Sequence, residues 1–222
     1  MKRYVLIVAG GTGVRMQSAI PKQFMELCGL PVLMHAIRVF FRYDASAPVT
    51  VVLPAAQLGY WEQLCGQYGF TVPHRVVEGG DHRFHSVKNG LDTLPDEGWV
   101  AIHDGVRPLV SHAVIDACFR EAERYGNAIP AIPVTDSIRA FTDAGSYTVD
   151  RENLRLVQTP QVFDLAALKD AYRQEYMPAF TDDAAVLERK GYLIHPVEGN
   201  AENIKITTPR DLKIAEALLS VR

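Results

Sequence analysis

Three glycines in four positions, Gly10, Gly11 and Gly13, with Arg15 and Lys22 close behind, are the residues whose types and spacing most directly imply chemistry. Glycine has no Cβ, so its backbone N–H groups can approach an anion closely, and two cations beside such a loop favour a polyanion. The simplest polyanion of this kind is the triphosphate of a nucleotide. Spacing narrows the kind of loop. Val14-Arg15 follows Gly13 where a P-loop requires Gly-Lys, and Met16 stands where a dinucleotide fingerprint requires its last glycine.

Two further stretches carry charge and small residues. Glu78 to Val87 contains Gly80, Arg83 and Ser86, which can present an N–H, a guanidinium and a hydroxyl to a ligand at a helix N-terminus. Ile102 to Pro108 places Asp104 at the end of an apolar run. A short carboxylate there suits a magnesium ion or a substrate hydroxyl, or else a local salt bridge with Arg107.

These residues must be held by an alternating framework. Apolar runs at Tyr4 to Val8, Thr50 to Leu53, Val76-Val77 and Trp99 to His103 read as strands of a mostly parallel sheet. Between them, Pro31 begins a helix to about Arg42, and Gln57 to Tyr68 forms another, stopped by Gly69. Ser111 caps a helix with the apolar face Val114, Ala117, Cys118, Ala122 and Tyr125. Thr208-Pro209 opens a last helix whose Leu212, Ala215, Leu218 and Leu219 are expected to cover the sheet.

The alternation breaks from 134 to 163, where the residues read as β with no helix between and a turn around Gly145. A hairpin with so few large apolar positions either lies on the domain or packs against a second subunit.

At 222 residues and 48% hydrophobic, the chain suits one α/β domain, 1–222, carrying this excursion. A net charge of -3 gives no reason to expect nucleic acid or a membrane as partner. Cys28, Cys65 and Cys118 show no metal or disulfide spacing and read as small core residues in a reducing compartment. With no apolar stretch long enough for a signal peptide or a membrane span, the expected location is cytoplasmic. His35, His74, His112 and His195 are scattered and read as packed or surface residues.

The stretch Ala9-Gly10-Gly11-x-Gly13-x-Arg15-Met16, followed by Pro21-Lys22-Gln23, resembles the signature loop of sugar-nucleotide and polyol-phosphate nucleotidyltransferases. The wider set is similar to that of 2-C-methyl-D-erythritol 4-phosphate cytidylyltransferases in order and spacing from Val5 to Leu212. It adds Gly79-Gly80-Asp81-x-Arg83-x-x-Ser86-Val87, His103-Asp104-x-x-Arg107-Pro108, Asp150-Arg151, Thr159-Pro160-Gln161, Thr181-Asp182-Asp183 and Asn203 to Thr207.

This resemblance implies a Rossmann-like three-layer nucleotidyltransferase fold, a mostly parallel sheet with helices on both faces plus a protruding β-arm. The implied reaction is transfer of CMP from CTP to 2-C-methyl-D-erythritol 4-phosphate with release of pyrophosphate, aided by Mg2+ or another divalent cation. It implies a homodimer in which the arm hooks around the partner.

By the same resemblance, the nucleotide is held by Ala9, Gly10, Gly11, Thr12, Gly13, Arg15, Lys22, Gly80, Arg83, Ser86 and Asp104. The polyol phosphate is surrounded by Asp104, Arg107, Ser137, Thr181 and Lys205, with Arg151 and Thr159 reaching it from the arm of the other subunit. Arg15, Lys22, Arg151 and Lys205 carry catalysis, and Asp104 is the one protein group implied as a metal ligand, the others being CTP phosphates and water. Gly10-Gly11 and Ile204 to Pro209 also resemble a sister family acting on ribitol 5-phosphate, whereas Asp150-Arg151 and Thr181-Asp182-Asp183 fit the methylerythritol enzymes better. A non-catalytic nucleotide-binding module on the same fold would have no need of the acceptor-side residues.

Overall fold

In the computed structural model, residues 1–10 and 20–220 are described. Gly11, Thr12, Gly13 and Arg15 therefore lie outside the described residues. A central sheet is built around β1 (Arg3–Val8), which pairs in parallel with β4 (Val49–Leu53) on one side and β6 (Trp99–Asp104) on the other. Beyond β4, strand β5 (Arg75–Glu78) forms the parallel edge. Beyond β6 the sheet becomes mixed, through β11 (Gln161–Asp164), β7 (Asn127–Pro133) and β10 (Arg155–Val157), with β12 (Pro196–Glu198) also on β7.

Chain order reverses direction across the sheet at β1, the position where open α/β sheets leave a crevice at their carboxyl ends. The register puts Val8, Val52 and Asp104 side by side at that end. The site is thus located by topology before any side chain is considered.

The central strands β1, β4 and β6 are buried on both faces, so their side chains alternate between two cores. Val5 and Ile7 of β1 pack with Leu33, Ile37 and Phe40 of α1 (Val32–Tyr43), Trp61 of α2 (Leu58–Gln67) and Phe119 of α4 (His112–Tyr125). Leu6 and Val8 face the opposite way, toward Phe84 and Val87 of α3 (Arg83–Leu91), Leu165 and Leu168 of α5 (Leu165–Ala171), and Val186 of α6 (Asp183–Glu188). The expected α/β architecture with helices on both faces is the one observed. Ser111 caps α4 by accepting the Val114 N–H at 3.2 Å, and Gly126 ends it at φ 89°. A cap of this kind stabilises a helix by about 1 kcal/mol.

Four expectations need correction. Tyr125 is exposed and stacks on His195 at 4.5 Å, because the buried stripe of α4 instead runs through Ile115 and Phe119. The last helix, α7 (Pro209–Ser220), does not cover the sheet. It packs in a separate small cluster against Leu27, Val106 and Ile206, where Leu27 belongs to the hairpin of β2 (Glu26–Leu27) and β3 (Leu30–Pro31). Cys28 is exposed in the turn of that hairpin at φ 49°, so of the three cysteines only Cys118 is a core residue. Finally, the excursion is shorter than 134–163, since β10 and β11 belong to the main sheet. What projects is the hairpin of β8 (Ile138–Thr142) and β9 (Gly145–Val149), which pairs with no other strand among the described residues. Its Phe141 is 82% exposed and its Tyr147 58%.

Burial pushes the Cys118 thiol up to about 12, which leaves negligible thiolate at pH 8. With a thiol reagent at that pH, Cys28 is expected to react in the native protein and Cys118 only after denaturation. Rapid native labelling of Cys118, read by mass spectrometry, would contradict the packing described.

Candidate active site

The carboxyl ends of β1, β5 and β6 open into a cleft of about 360 Å³. Its walls include Ala9, Gly10, Lys22, Gly80, Arg83, Ser86, Asp104 and Lys205. A second cleft of about 220 Å³ adjoins it, lined by Arg107, Gln158, Thr159 and Thr181 together with Arg83, Asp104 and Lys205. The last three residues are common to both clefts and form the seam between them.

Lys22 begins a single turn of 3-10 helix, Lys22–Phe24, whose next two side chains anchor it. Gln23, fully buried, donates to the Ala9 carbonyl at 2.8 Å and to Gln57 Oε1 at 2.7 Å, and Phe24 packs between Tyr60 and Trp61. The motif Pro21-Lys22-Gln23 thus ties the cation's backbone to the end of β1.

Gly80 must be glycine because a Cβ there would lie 2.5 Å from His85 Cβ. Its N–H donates to Ser86 Oγ at 3.1 Å, and the hydroxyl lies 3.3 Å from the Gly80 carbonyl. These two expected ligand donors line the cleft but are engaged with each other, closing the turn ahead of α3. The Arg83 guanidinium, likewise expected to face the nucleotide, is bidentate on Asp183 at 2.8 and 2.6 Å. Asp183 is fully buried and also accepts the Tyr172 hydroxyl at 2.6 Å. Burial opposes the charge on Arg83, but the Asp183 carboxylate outweighs it and holds the guanidinium above its ordinary pKa. Arg83 therefore clamps the start of α3 to the start of α6 across the seam.

Asp104 stands at the centre. Its Oδ2 takes Lys205 Nζ at 2.9 Å and Arg107 Nε at 3.2 Å, while Arg83 Nε lies 3.8 Å from Oδ1. Burial would raise its pKa, but Lys205, Arg83 and Arg107 outweigh burial and keep it well below the usual carboxylate range. The salt bridge with Arg107 foreseen as one alternative exists, within a larger cluster. Three cations thus meet the two carboxylates Asp104 and Asp183 at the seam, with Asp81 and Asp182 on the walls of the clefts to either side.

Lys205 reaches the seam because the chain around it is pinned. Ile206 N–H donates to the Val106 carbonyl at 2.9 Å, Arg107 Nη1 donates to the Asn203 carbonyl at 2.7 Å, and Asn203 Nδ2 donates to the Thr159 carbonyl at 2.8 Å. Asp104 is the one candidate metal ligand at the seam. Its Oδ1, with Arg83 Nε at 3.8 Å as its nearest partner among the described residues, suits an ion that takes most of its ligands from phosphate and water. Among the described residues no cluster of three or more His, Cys, Asp or Glu side chains forms a protein cage for a metal.

Thr159 requires correction. It does not reach from the arm of another subunit, because the residue is buried and its hydroxyl is bonded within its own chain to His103 and to the Asp104 N–H. Thr181 is exposed on the second cleft. Ser137 and Arg151 line neither cleft within one chain; Arg151 Nη1 donates to the Thr135 carbonyl at the base of the arm.

Sequence reasoning assigned no role to His103, Gln23, Asp183 or Asn203, although all four lie inside the quoted motifs. The available signal was a polar residue inside an apolar run, as at His103. Burial lowers the His103 pKa to about 4, so the ring is neutral at pH 7.

A mainly parallel sheet with a cation-lined cleft at its switch point, joined to a second polar cleft across a charged seam, defines a nucleotide-dependent group transferase. Residues 4–221 match the family IspD, 2-C-methyl-D-erythritol 4-phosphate cytidylyltransferase, and the chain belongs to it. The Bacteroides thetaiotaomicron protein of that name is 53% identical over 219 residues, covering 99% of this chain and all of the relative. The crystal structure of the Thermus thermophilus cytidylyltransferase shares 31% identity with a TM-score of 0.76, covering 97% of this chain and 98% of that one. The bifunctional IspDF of Campylobacter jejuni gives a TM-score of 0.82 at 28% identity. There 96% of this chain matches 54% of that longer chain.

Replacing Arg83 with alanine leaves the Asp183 carboxylate buried with Tyr172 alone. The expected loss is about 3 kcal/mol in unfolding free energy by urea titration, because a buried charge loses its partner. A loss below about 1 kcal/mol, typical of a surface pair, would remove the clamp from the account.

Proposed function

We propose that the protein transfers CMP from CTP to 2-C-methyl-D-erythritol 4-phosphate, giving 4-diphosphocytidyl-2-C-methyl-D-erythritol and pyrophosphate. The observation that carries this reading is the pair of clefts sharing Arg83, Asp104 and Lys205. The larger cleft receives the nucleoside triphosphate and the smaller the polyol phosphate, so the two phosphates meet at the seam. Membership of the family supports the choice of substrates, and the names of the relatives favour methylerythritol phosphate over ribitol phosphate.

An oxygen of the acceptor phosphate attacks the α-phosphorus in line. The new P–O bond forms as the bond to the leaving pyrophosphate breaks. A phosphate monoester is already anionic at neutral pH, so no general base is needed. Asp104, its charge held by three cations, orients Lys205 rather than taking a proton. The obstacle is repulsion: two unit charges at 4 Å oppose each other by roughly 4 kcal/mol at an effective dielectric of about 20. Lys22 on the wall of the nucleotide cleft and Lys205 at the seam offset it, joined by Arg15 as the loop motif implies. Mg2+ or another divalent cation, held by Asp104 Oδ1 and the triphosphate, would neutralise further phosphate charge when bound.

The arm gives this reading its second half. Exposed Phe141 and Tyr147 suit contact with another copy of the chain, and Arg151 would reach the partner's acceptor cleft in a homodimer. Three free cysteines fit a cytoplasmic location.

Pyrophosphate release from CTP is expected with methylerythritol 4-phosphate and magnesium, and neither with EDTA nor with ribitol 5-phosphate. Preference for ribitol phosphate would reassign the acceptor, and a covalent cytidylyl-protein would refute direct transfer. Lys205→Ala is expected to slow turnover on the order of 10³-fold, as for lost cations in other phosphoryl-transfer sites.

A mixture of two inactive variants tests the arm. Arg151→Ala combined with Lys205→Ala is expected to recover about a quarter of wild-type activity, because half of the mixed dimers' sites are intact when Arg151 acts across the two-fold. No recovery on subunit exchange would place Arg151 in its own chain's site.

A further inference from the structure

His103 is enclosed on every side, edge-on to Phe40 at 4.9 Å, and touches neither cleft. Both ring nitrogens are nevertheless in use. Nε2 lies 2.9 Å from the Arg107 carbonyl, which can only accept, so Nε2 carries the proton. Nδ1, 3.0 Å from Thr159 Oγ1, is then the acceptor and the Thr159 hydroxyl the donor. That hydroxyl in turn accepts the Asp104 N–H at 3.0 Å. The result is one directional chain: the Asp104 amide donates to Thr159, Thr159 to His103, and His103 to the Arg107 carbonyl. It begins and ends on the backbone of the two residues that hold the seam.

We infer that His103 is a positioning residue for transfer: with Thr159 it fixes the 104–107 turn, so that Asp104 and Arg107 hold the acceptor-side cations in place. Within the turn the backbone makes one bond, Arg107 N–H to the Asp104 carbonyl at 3.0 Å, beside the Arg107 Nε contact with Asp104 Oδ2, and Gly105 and Val106 tie it to Val8 and Ile206. Without the ring, the Arg107 carbonyl loses its side-chain donor and Thr159 is released to rotate. Arg107 also bonds the Asn203 carbonyl, and Asp104 bonds Lys205, so movement of the turn displaces the cation at the seam. Although Asp104 and Lys205 wall both clefts, the nucleotide side has further anchors away from this turn, Gln23 on Ala9 and Ser86 on Gly80. The effect therefore falls on the acceptor.

This inference rests on reading the second cleft as the acceptor site, and steady-state kinetics with CTP and methylerythritol 4-phosphate test the two separately. Wild-type protein without turnover on that pair would refute the acceptor reading itself. Given wild-type turnover, His103→Gln keeps a donor toward Arg107 but no acceptor for Thr159, and His103→Asn keeps the reverse. Each is expected to lower kcat/KM for the polyol phosphate roughly 10- to 100-fold, with KM for CTP within about twofold, the scale of loss for a misplaced reactive group.

Thr159→Val preserves side-chain shape and removes the hydroxyl; it should reproduce the defect, whereas Thr159→Ser should restore near wild-type turnover. The double variant His103→Gln/Thr159→Val should be no worse than the poorer single variant, because both break the same link between the ring and the hydroxyl. Equal losses toward CTP and polyol phosphate, or unchanged constants in folded Thr159→Val, would overturn the positioning role.

Discussion

A carboxylate less than a tenth exposed at the end of a parallel strand stays ionised only if cations stand beside it. Asp104 is that carboxylate, and Lys205, Arg107 and Arg83 are the cations. They arrive from three separate parts of the chain, and the requirement to neutralise Asp104 draws them together. The same attraction keeps three positive groups close enough to serve phosphates on either side. Neither cleft would have its shared wall without it.

From this cluster the rest of the site takes its geometry. The Arg83–Asp183 pair carries the constraint to α6 and the exposed Thr181, while Arg107 carries it to the 200–205 segment through Asn203. Most polar groups that line the clefts are bonded to one another before any ligand enters. Such preorganisation is what electrostatic catalysis of phosphate transfer requires, since the donors need not reorganise as charge builds at the α-phosphate. A site of this kind needs no residue with a pKa near 7, and the neutral His103 serves it by geometry.

The main strands, the positions of the helices, the Ser111 cap and the turn at Gly69 were legible because they depend on local periodicity and backbone chemistry. Less legible were residues whose role depends on what lies opposite. Arg83 and Ser86 read as ligand groups because their types suit a ligand, yet Asp183 and Gly80 occupy them. Thr159 read as part of an arm reaching another subunit, yet its strand neighbours join the main sheet and bury it. Cys28 read as core from its type alone, and a two-residue hairpin turn places it outside.

The sequence by itself determined the class of sheet, the position of the glycine loop after the first strand, and the motifs that mark the family. All of these are encoded by spacing along the chain. Tertiary structure alone decided that Asp104, Lys205, Arg107 and Arg83 form one cluster, and that it divides two clefts. It also decided that His103 and Thr159 connect two backbone points of the same turn. The longest of those contacts, Asp104 with Lys205 and with Thr159, join residues about 50 to 100 positions apart, and like the Arg83–Asp183 pair the charged ones exist because burying Asp104 and Asp183 as charged groups is tolerable only with partners folded against them.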